Sequence, residues 1–241
     1  PLSKRHGGTS VEFFRKEGYL SEGLMNYLAL LGWNVKQEVF QPLQELEDFY
    51  LESISNKSVV FDYKKLEWIN GKHVRSLPVG TFSTLFKEWI DRYRKAYPEI
   101  AELIVRQPQG RVERILLAGQ EKVNTFVQLL PLLRPLLAEA DVLQYDEKWT
   151  EKYLKKPETP ALLEKFEREF SKNPIDTYEK IKSIFDRNIE ESGLSTNQVY
   201  QTLRGALTGS LVSLGLIETV DFLGREEVLK RIHNALALLK V

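Results

Sequence analysis

The residues best suited to chemistry stand at the beginning of the chain, in the short basic segment Leu2-Ser3-Lys4-Arg5-His6-Gly7-Gly8. Glycine lets a backbone approach a ligand closely, and the ammonium group of lysine is a compact charge that can lie against phosphate oxygens. These residue types therefore predict a mobile loop that places Lys4 against phosphates. A solvated basic tail is the other interpretation of the segment, and the pattern alone does not separate the two.

A second group with chemical potential surrounds Arg204, towards the far end of the chain. Ser195 with Gln198 has the spacing of a capping box, which begins a helix. Gly209 is a natural helix end, so Arg204 is predicted to lie late in that helix. A guanidinium group can pair two acceptors at once or stack on a base, which suits unpaired RNA bases. The alternative is an arginine whose stem is packed and whose charged head is exposed.

The composition of the chain excludes several kinds of site. Its 241 residues include no cysteine, which excludes disulfides, thiol catalysis and cysteine-ligated metals. The histidines His6, His73 and His233 are far apart in sequence, so we expect this chain to bind no metal. The 34 basic residues are balanced by 34 acidic ones, so any contact with RNA must come from local clusters of charge.

Two further features concern the location and the extent of the protein. The sequence contains no signal peptide and no long uncharged apolar run, so we expect a cytoplasmic protein without a membrane segment. The only methionine is Met25, and the sequence starts Pro1-Leu2-Ser3, so we expect the chain to be the later portion of a longer product.

Helical signals dominate the elements that must position these residues. Apolar residues recur at three- and four-residue spacing from Phe82 to Tyr93 and from Val228 to Leu239, which is typical of amphipathic helices. Asp62 can begin a helix that Asn70-Gly71 is expected to end, and Gly224 is expected to separate two helices near the end of the chain. No signal indicates a large sheet, so the sequence predicts a mainly all-α fold.

Several motifs, taken in order, resemble the bacterial-type glutamyl-tRNA synthetases, which are class I aminoacyl-tRNA synthetases. The motifs are Leu2–Gly8, Thr9–Leu20, Gly23–Trp33, Val60–Lys72 and Leu203–Ser210. The first resembles the KMSKS-like signature loop of that family, which usually has lysine where this chain has Pro1, and the second lysine of the motif falls on Lys4. The resemblance is strongest towards the two ends of the chain, and several motifs in the family's order are more specific than any one alone.

The resemblance implies a domain organisation. Residues 1–78 would hold the KMSKS-like loop and a domain that contacts the tRNA stem at its inner corner. A helical anticodon-binding domain would follow, with one subdomain at residues 79–145 and a second at residues 146–241. The nucleotide-binding sheet and the glutamate pocket of a class I enzyme would belong to an N-terminal catalytic half that is missing from this chain.

The resemblance also implies roles for particular residues. Lys4 would be catalytic, since a mobile lysine can stabilise the negative charge that develops on the phosphates of ATP. Ser3 and Arg5 would bind ATP together with Lys4. The tRNA would be contacted near its anticodon by a set of residues from the later part of the chain: Lys122, Asn124, Arg204, Ser213, Leu214, Gly215 and Leu216. The family often has proline where Leu214 stands.

The implied activity is that of a glutamate–tRNA ligase, which attaches glutamate to its tRNA in an ATP-dependent reaction of two steps. The cofactor would be ATP, with Mg²⁺ in the full enzyme. The partner would be the glutamate tRNA, and the sequence leaves open whether the glutamine tRNA is charged as well. Because the Rossmann catalytic core is not part of this chain, we expect the chain alone to be inactive. We also expect it to be a monomer.

Two alternatives to this assignment are open. The glutaminyl and archaeal glutamyl enzymes build their anticodon region from β-barrels, which the helical signals here argue against. A non-catalytic helical module that binds RNA or a protein partner is the second alternative, and the balanced charge is compatible with it. Salt-dependent binding of tRNA discriminates between a tRNA-binding part and a protein-binding module, because phosphate contacts release counterions.

Overall fold

The computed structural model of the chain describes residues 10–33, 37–41 and 60–240. The secondary-structure elements of these ranges are all helices, which confirms the prediction of a mainly all-α fold. The α-helices are α1 (Val11–Lys16), α2 (Ser21–Leu30), α3 (Tyr63–Ser76), α4 (Val79–Arg92), α5 (Pro98–Arg106), α6 (Gln109–Gln120), α7 (Leu130–Leu137), α8 (Glu147–Trp149), α9 (Thr159–Lys172), α10 (Tyr178–Ser192), α11 (Thr196–Thr208) and α12 (Leu216–Ala237). A π-helical turn (Thr150–Leu154) continues α8, and 3₁₀ turns occur at Val127–Leu129, Ala140–Val142 and Leu238–Lys240.

The chain forms two compact units that are not continuous in sequence. Unit 1 holds the described residues up to Glu102 together with Leu116–Leu130. Unit 2 holds Leu103–Ile115 together with the described residues from Pro131 onward. The boundaries fall inside α5 and α6 and before Pro131, so the chain leaves unit 1, returns to it and leaves it again. The functional division expected at 1–78, 79–145 and 146–241 stays a prediction.

Helix α3 shows how tertiary contacts override a local stop signal. The Asp62 carboxylate caps its start, as predicted, by accepting hydrogen bonds from two amides of the first turn at 2.9 and 3.0 Å. The expected end at Asn70-Gly71 is wrong, because the helix continues to Ser76. Asn70 is fully buried; its side chain accepts from the Leu20 amide (2.9 Å) and donates to the Asn124 carbonyl. Both polar groups of the Asn70 side chain are therefore hydrogen-bonded within unit 1 while its backbone stays helical, although the sequence indicated a helix end at this position.

The interior of unit 1 is rich in aromatic rings. One cluster joins α1, α2 and α3 and comprises Phe14, Leu24, Tyr27, Leu66 and Ile69. A second group joins α4 to the returning segment, since the ring of Phe126 lies 5.7–5.8 Å from three rings of α4, those of Phe82, Phe86 and Trp89. The Phe126 amide donates to the Gly18 carbonyl (3.1 Å), and a side chain at Gly18 would strike Phe126. The segment 116–130 is therefore an integral part of the core of unit 1.

A buried polar pair links α2 to α3. Nε2 of His73 lies 2.9 Å from Oδ1 of Asn26, whose side chain is also bonded to the backbone of Glu38 and Phe40. Because Oδ1 is an acceptor, the histidine nitrogen donates to it. Burial lowers the pKa of His73 from its ordinary value of 6.5, and the nearby Glu22 carboxylate acts in the opposite direction. The folded protein therefore favours the neutral imidazole.

The core of unit 2 lies among α9, α10, α11 and α12. Its fully buried apolar side chains include Leu163, Phe166, Phe170, Phe185, Val199, Leu203, Leu207, Val220, Val228 and Ile232. Gly224 has φ 74° and ψ 167°, so α12 comprises two helical segments with a non-helical glycine between them, as predicted. Trp149 is also fully buried; its ring leaves no room for a side chain at Gly205, and its Nε1 donates to the Gln201 carbonyl (3.0 Å).

One arginine lies inside unit 2 with no exposed surface. Arg231 of α12 donates to three backbone carbonyls, each at 2.6 Å: those of Pro135, Ala138 and Leu207. Its Nε donates to Glu227 one turn earlier (2.7 Å). Pro135 and Leu207 lie in the last turns of α7 and α11, where carbonyls have no partner within the helix, so one guanidinium completes two helix ends. Burial lowers the pKa of Arg231, and the hydrogen bond to Glu227 opposes that shift.

We expect Arg231→Met to destabilise unit 2 by about 3–5 kcal/mol, because it leaves buried carbonyls and the Glu227 carboxylate without their donor. The matched control is Lys230→Met. The neighbouring Lys230 is largely exposed and pairs with Asp141 at 2.7 Å, so its loss should change stability little. Urea unfolding followed by circular dichroism measures the midpoints of both variants. An Arg231→Met midpoint equal to that of Lys230→Met would contradict the role of the buried guanidinium.

The depressed pKa of His73 has a consequence for stability at mildly acidic pH. The unfolded chain binds the proton more readily than the folded one, so stability is lost as the pH falls below about 6.5. We expect the wild-type midpoint to drop more steeply between about pH 7 and pH 5 than that of His73→Gln, whose amide can still donate to Asn26 but does not titrate. Urea midpoints across this range measure the difference, and parallel curves would rule it out.

Candidate nucleic-acid interface

Helix α11 carries Arg204, and both its ends are fixed as the sequence predicts. Ser195 and Gln198 form a reciprocal capping box at the start. At the end, Gly209 adopts a left-handed conformation (φ 69°), and a side chain there would meet the backbone carbonyl of Gln144. The helix is therefore a rigid support, and its last turn opens directly into the loop that follows.

The guanidinium of Arg204 fastens that loop, residues 209–215, to α11. Its Nη1 donates to Ser213 Oγ and to the Leu214 carbonyl (3.1 Å), and the Ser213 hydroxyl donates to the same carbonyl (2.7 Å). Burial lowers the pKa of Arg204, with an opposing contribution from nearby Tyr200. Nε is buried and has no hydrogen-bond partner among the described residues. A packed stem with an exposed head therefore does not describe Arg204, because the head is half-buried and holds the loop.

The apolar side chains of the 209–215 loop divide between the interior and the surface. Leu214 is only 1% exposed, so it is packed within unit 2, and its carbonyl accepts the bonds from Arg204 and Ser213. Val212 is 66% exposed, and its amide is held by Ser210 Oγ at 3.1 Å. No sequence pattern singles out Val212, because the loop conformation decides which of several neighbouring apolar side chains points outward.

Gly215 and Leu216 lie where the loop passes into α12. Gly215 precedes the first residue of the helix, and its carbonyl accepts from the amide and the hydroxyl of Thr219 (2.8 and 2.9 Å). A side chain at Gly215 would strike the carboxylate of Glu218. Leu216 is buried, at 2% exposure. These two residues anchor the loop, so its accessible groups come from the residues before them.

Lys122 and Asn124 belong to unit 1, in the segment after α6. Lys122 is exposed. Asn124 is half-buried and is engaged on several sides: its Nδ2 donates to Glu67 (3.1 Å), its Oδ1 accepts from Arg75 (3.2 Å), and its amide donates to Gln128 (2.7 Å). A direct contact between Asn124 and RNA would displace one of these bonds. Lys122 is therefore the more direct candidate of the two.

The expected ATP-binding residues Ser3, Lys4 and Arg5 lie outside the described residues, so their roles stay predictions. Within the part of the chain that the structure describes, no group of three or more acidic or histidine side chains is placed to hold a metal ion. Among those same residues, no helix has the length and apolar character needed to cross a membrane.

A family model described as an anticodon binding domain matches residues 82–236. The chain belongs to this family. The matched region includes α11, the 209–215 loop, Lys122 and Asn124. A second model, described as the catalytic domain of class I tRNA synthetases (E and Q), matches residues 1–68.

Proteins named glutamate–tRNA ligase are similar to nearly the whole chain. The chain is 43% identical to glutamate–tRNA ligase 2 of Fervidobacterium nodosum, over 99% of this chain and 48% of that protein. It is 42% identical to glutamate–tRNA ligase 2 of Thermosipho melanesiensis, over 98% of this chain and 49% of that protein. The chain therefore spans about half the length of the curated relatives it matches. The predicted resemblance to glutamyl-tRNA synthetases is confirmed.

A solved structure supports the fold. The crystal structure of a glutamate tRNA ligase from Elizabethkingia meningosepticum, in complex with its amino acid, matches 94% of this chain and 43% of that one with a TM-score of 0.73. The two sequences are 22% identical over the match, so the likeness is one of fold.

We expect Arg204→Ala to loosen the 209–215 loop, because it removes the donors that hold the loop to α11. Hydrogen bonds to charged groups contribute about 1.5–3 kcal/mol each, so loop amides should exchange with solvent roughly tenfold faster or more. The control is Arg187→Ala, which removes an arginine of α10 that pairs with Glu169 at the surface (2.9 Å). Hydrogen exchange of peptides that cover the loop measures both variants. Unchanged exchange in Arg204→Ala would show that the loop does not depend on the guanidinium.

Proposed function

We propose that this chain is the tRNA-recognising part of a glutamate–tRNA ligase, and that the 209–215 loop meets the anticodon. The observation that carries the proposal is the attachment of this loop to α11 by Arg204, inside the region that the anticodon-binding model matches. A loop that is fixed before binding loses little conformational entropy when RNA binds, so its contacts contribute more fully to affinity. The names of the relatives support glutamate tRNA as the partner.

The proposed contacts with the anticodon come from unit 2. The Nε of Arg204 has no hydrogen-bond partner among the described residues, and a small rotation would let the guanidinium pair with or stack on a base. Ser213 would contribute its hydroxyl. The other three residues would act indirectly, by maintaining the backbone conformation of the loop. Leu214 and Leu216 are buried, and Gly215 has no room for a side chain.

The proposed contact from unit 1 is electrostatic. Lys122 is exposed and would lie against a phosphate of the tRNA. Asn124 would support it indirectly, by holding the segment that carries Lys122 through its bonds to Glu67, Arg75 and Gln128. In this organisation residues 1–78 would contact the tRNA stem, and residues 79–145 and 146–241 would be the two anticodon-binding subdomains.

The proposed activity of the whole enzyme is the ATP-dependent attachment of glutamate to its tRNA in two steps, with the glutamine tRNA as a second candidate substrate. Lys4, with Ser3 and Arg5, would stabilise the charge on the phosphates of ATP, a role that rests on the sequence alone. Mg²⁺ would accompany ATP. The nucleotide-binding sheet would come from an N-terminal catalytic half, so the chain alone would be inactive. The proposed setting is the cytoplasm, and the proposed state is a monomer.

Binding of tRNA tests the proposal. We expect the chain to bind a glutamate-tRNA transcript and Arg204→Ala to weaken binding about 5- to 150-fold, which corresponds to roughly 1–3 kcal/mol for contact with a single base. The loss should shrink with a transcript in which the contacted anticodon base is changed. Fluorescence anisotropy at one fixed salt concentration measures the affinities of the wild type and the variant for both transcripts.

Because Arg204→Ala also loosens the loop, Ser213→Ala is needed beside it. This variant removes two bonds of the loop, one from Arg204 and one to the Leu214 carbonyl, but keeps the guanidinium, so a base-dependent loss that is larger in Arg204→Ala than in Ser213→Ala belongs to the arginine itself. Equal affinities for both transcripts in every variant would overturn the anticodon assignment. A wild-type chain that does not bind tRNA would favour the alternative of a protein-binding helical module.

A further inference from the structure

Exposed lysines lie in the π-helical turn after α8 and just beyond its end. Lys152 and Lys156 are exposed, and neither forms an ion pair within the described residues. Lys155, which stands between them, pairs instead with Glu151 one turn earlier. The ammonium group of Lys152 lies 5.5 Å from the ring centre of Tyr153. One cation in this turn and one just after it are therefore open to a ligand from solution.

Lys152 and Lys156 line one groove of unit 2, with a volume of about 180 Å³. Asn197 and Gln198, from the first turns of α11, line it as well, and Glu158 contributes a carboxylate. Pockets that enclose a drug-sized ligand usually measure about 300–1,000 Å³, so this groove suits a smaller group. Two cations against one carboxylate, with amide side chains beside them, favour a small anion such as a phosphate group.

The groove is tied to the helix that carries Arg204. Trp149, just before the π-helical turn, donates to the Gln201 carbonyl (3.0 Å), and its ring fills the space beside Gly205. Asn197 precedes Arg204 by seven residues, which is close to two helical turns, so both lie on one face of α11. Their separation along the helix axis is roughly 10 Å. A strand bound at Arg204 therefore needs to extend only a short distance to reach the groove.

We propose that Lys152 and Lys156 form a second contact of this chain with RNA, a site for the phosphodiester backbone of the strand whose bases meet the 209–215 loop. The inference rests on the proposed tRNA-binding function and extends it from the bases to the backbone. Phosphate contacts fix the position of a nucleic acid without reading its sequence, and a lysine supplies the compact charge that this requires. Because Trp149 is bonded to α11, the backbone that carries the two lysines is held close to the helix of Arg204.

The test is the salt dependence of tRNA binding. The double variant Lys152→Ala/Lys156→Ala should bind tRNA more weakly than the wild type. Its plot of log affinity against log salt concentration should also be less steep by about 1.4, since each phosphate contact with a single strand contributes about 0.7 to the steepness. The loss should be equal for the glutamate transcript and for the anticodon-substituted transcript. The charge-matched control is Lys180→Ala/Lys182→Ala, which removes two lysines of α10 that are paired with carboxylates, Asp176 just before the helix and Asp186 within it. Its slope should match the wild type.

Anisotropy titrations at several salt concentrations separate the outcomes. A double variant that keeps the wild-type affinity and slope, while the wild type binds tRNA, overturns this inference and leaves the proposed function standing. A wild-type chain that does not bind tRNA overturns the proposed function itself. A loss that depends on the anticodon sequence would assign base recognition to the groove and overturn the phosphate site. Charge reversal in Lys156→Glu should weaken binding beyond Lys156→Ala, and equal binding would count against the site.

Discussion

The buried guanidinium of Arg231 is the contact on which the architecture of unit 2 depends. Helix α7 contains a proline and ends inside the unit, so its last carbonyls need donors from elsewhere. Arg231 supplies them to Pro135 and Ala138, and two side chains of the preceding segment, Gln107 and Arg111, bond to the neighbouring carbonyls at 3.3 and 3.1 Å. A buried cation on its own would be strongly destabilising, but the carbonyls and a carboxylate around this one compensate its lost hydration.

The same guanidinium connects this internal network to the candidate interface. Its bond to the Leu207 carbonyl fixes the last turn of α11, three residues after Arg204. Arg204 in turn holds the 209–215 loop, and the amide of Asp146 holds the Gly209 carbonyl at 2.6 Å. Arg204 and Arg231 thus have a similar role, in which one guanidinium donates several hydrogen bonds to partners that include backbone carbonyls. Lys152 and Lys156, in and just after the π-helical turn, have a different role, because their charges face solvent.

Signals that act over a few residues made much of the fold predictable, whereas contacts between distant residues did not show in the sequence. The local signals that predicted helix boundaries correctly were Asp62, the Ser195–Gln198 capping box, Gly209 and Gly224. Asn70-Gly71 failed as a stop because its partner, Asn124, lies far along the chain. Arg231 stands in an ordinary amphipathic pattern, so nothing marked it as buried. For the candidate site, the resemblance pointed to Arg204 and the 209–215 loop. It did not indicate the hydrogen bonds by which Arg204 holds this loop to α11.

Because unit 1 consists of two separate stretches of sequence, it cannot be completed during synthesis until the second stretch has been made. A ribosome delivers the described residues up to Glu102 before it delivers the segment that completes unit 1. That segment supplies Phe126 to the aromatic core and Gln120, whose side chain donates to the carbonyls of Val74 and Leu77 at 2.8 and 2.9 Å. Unit 1 therefore stays open on one side during synthesis until Leu130 has emerged, while part of unit 2 has already been exposed. A gene that ends after Glu102 leaves that core unfilled, whereas one that ends after Leu130 keeps all of unit 1 but also carries residues 103–115, which belong to unit 2.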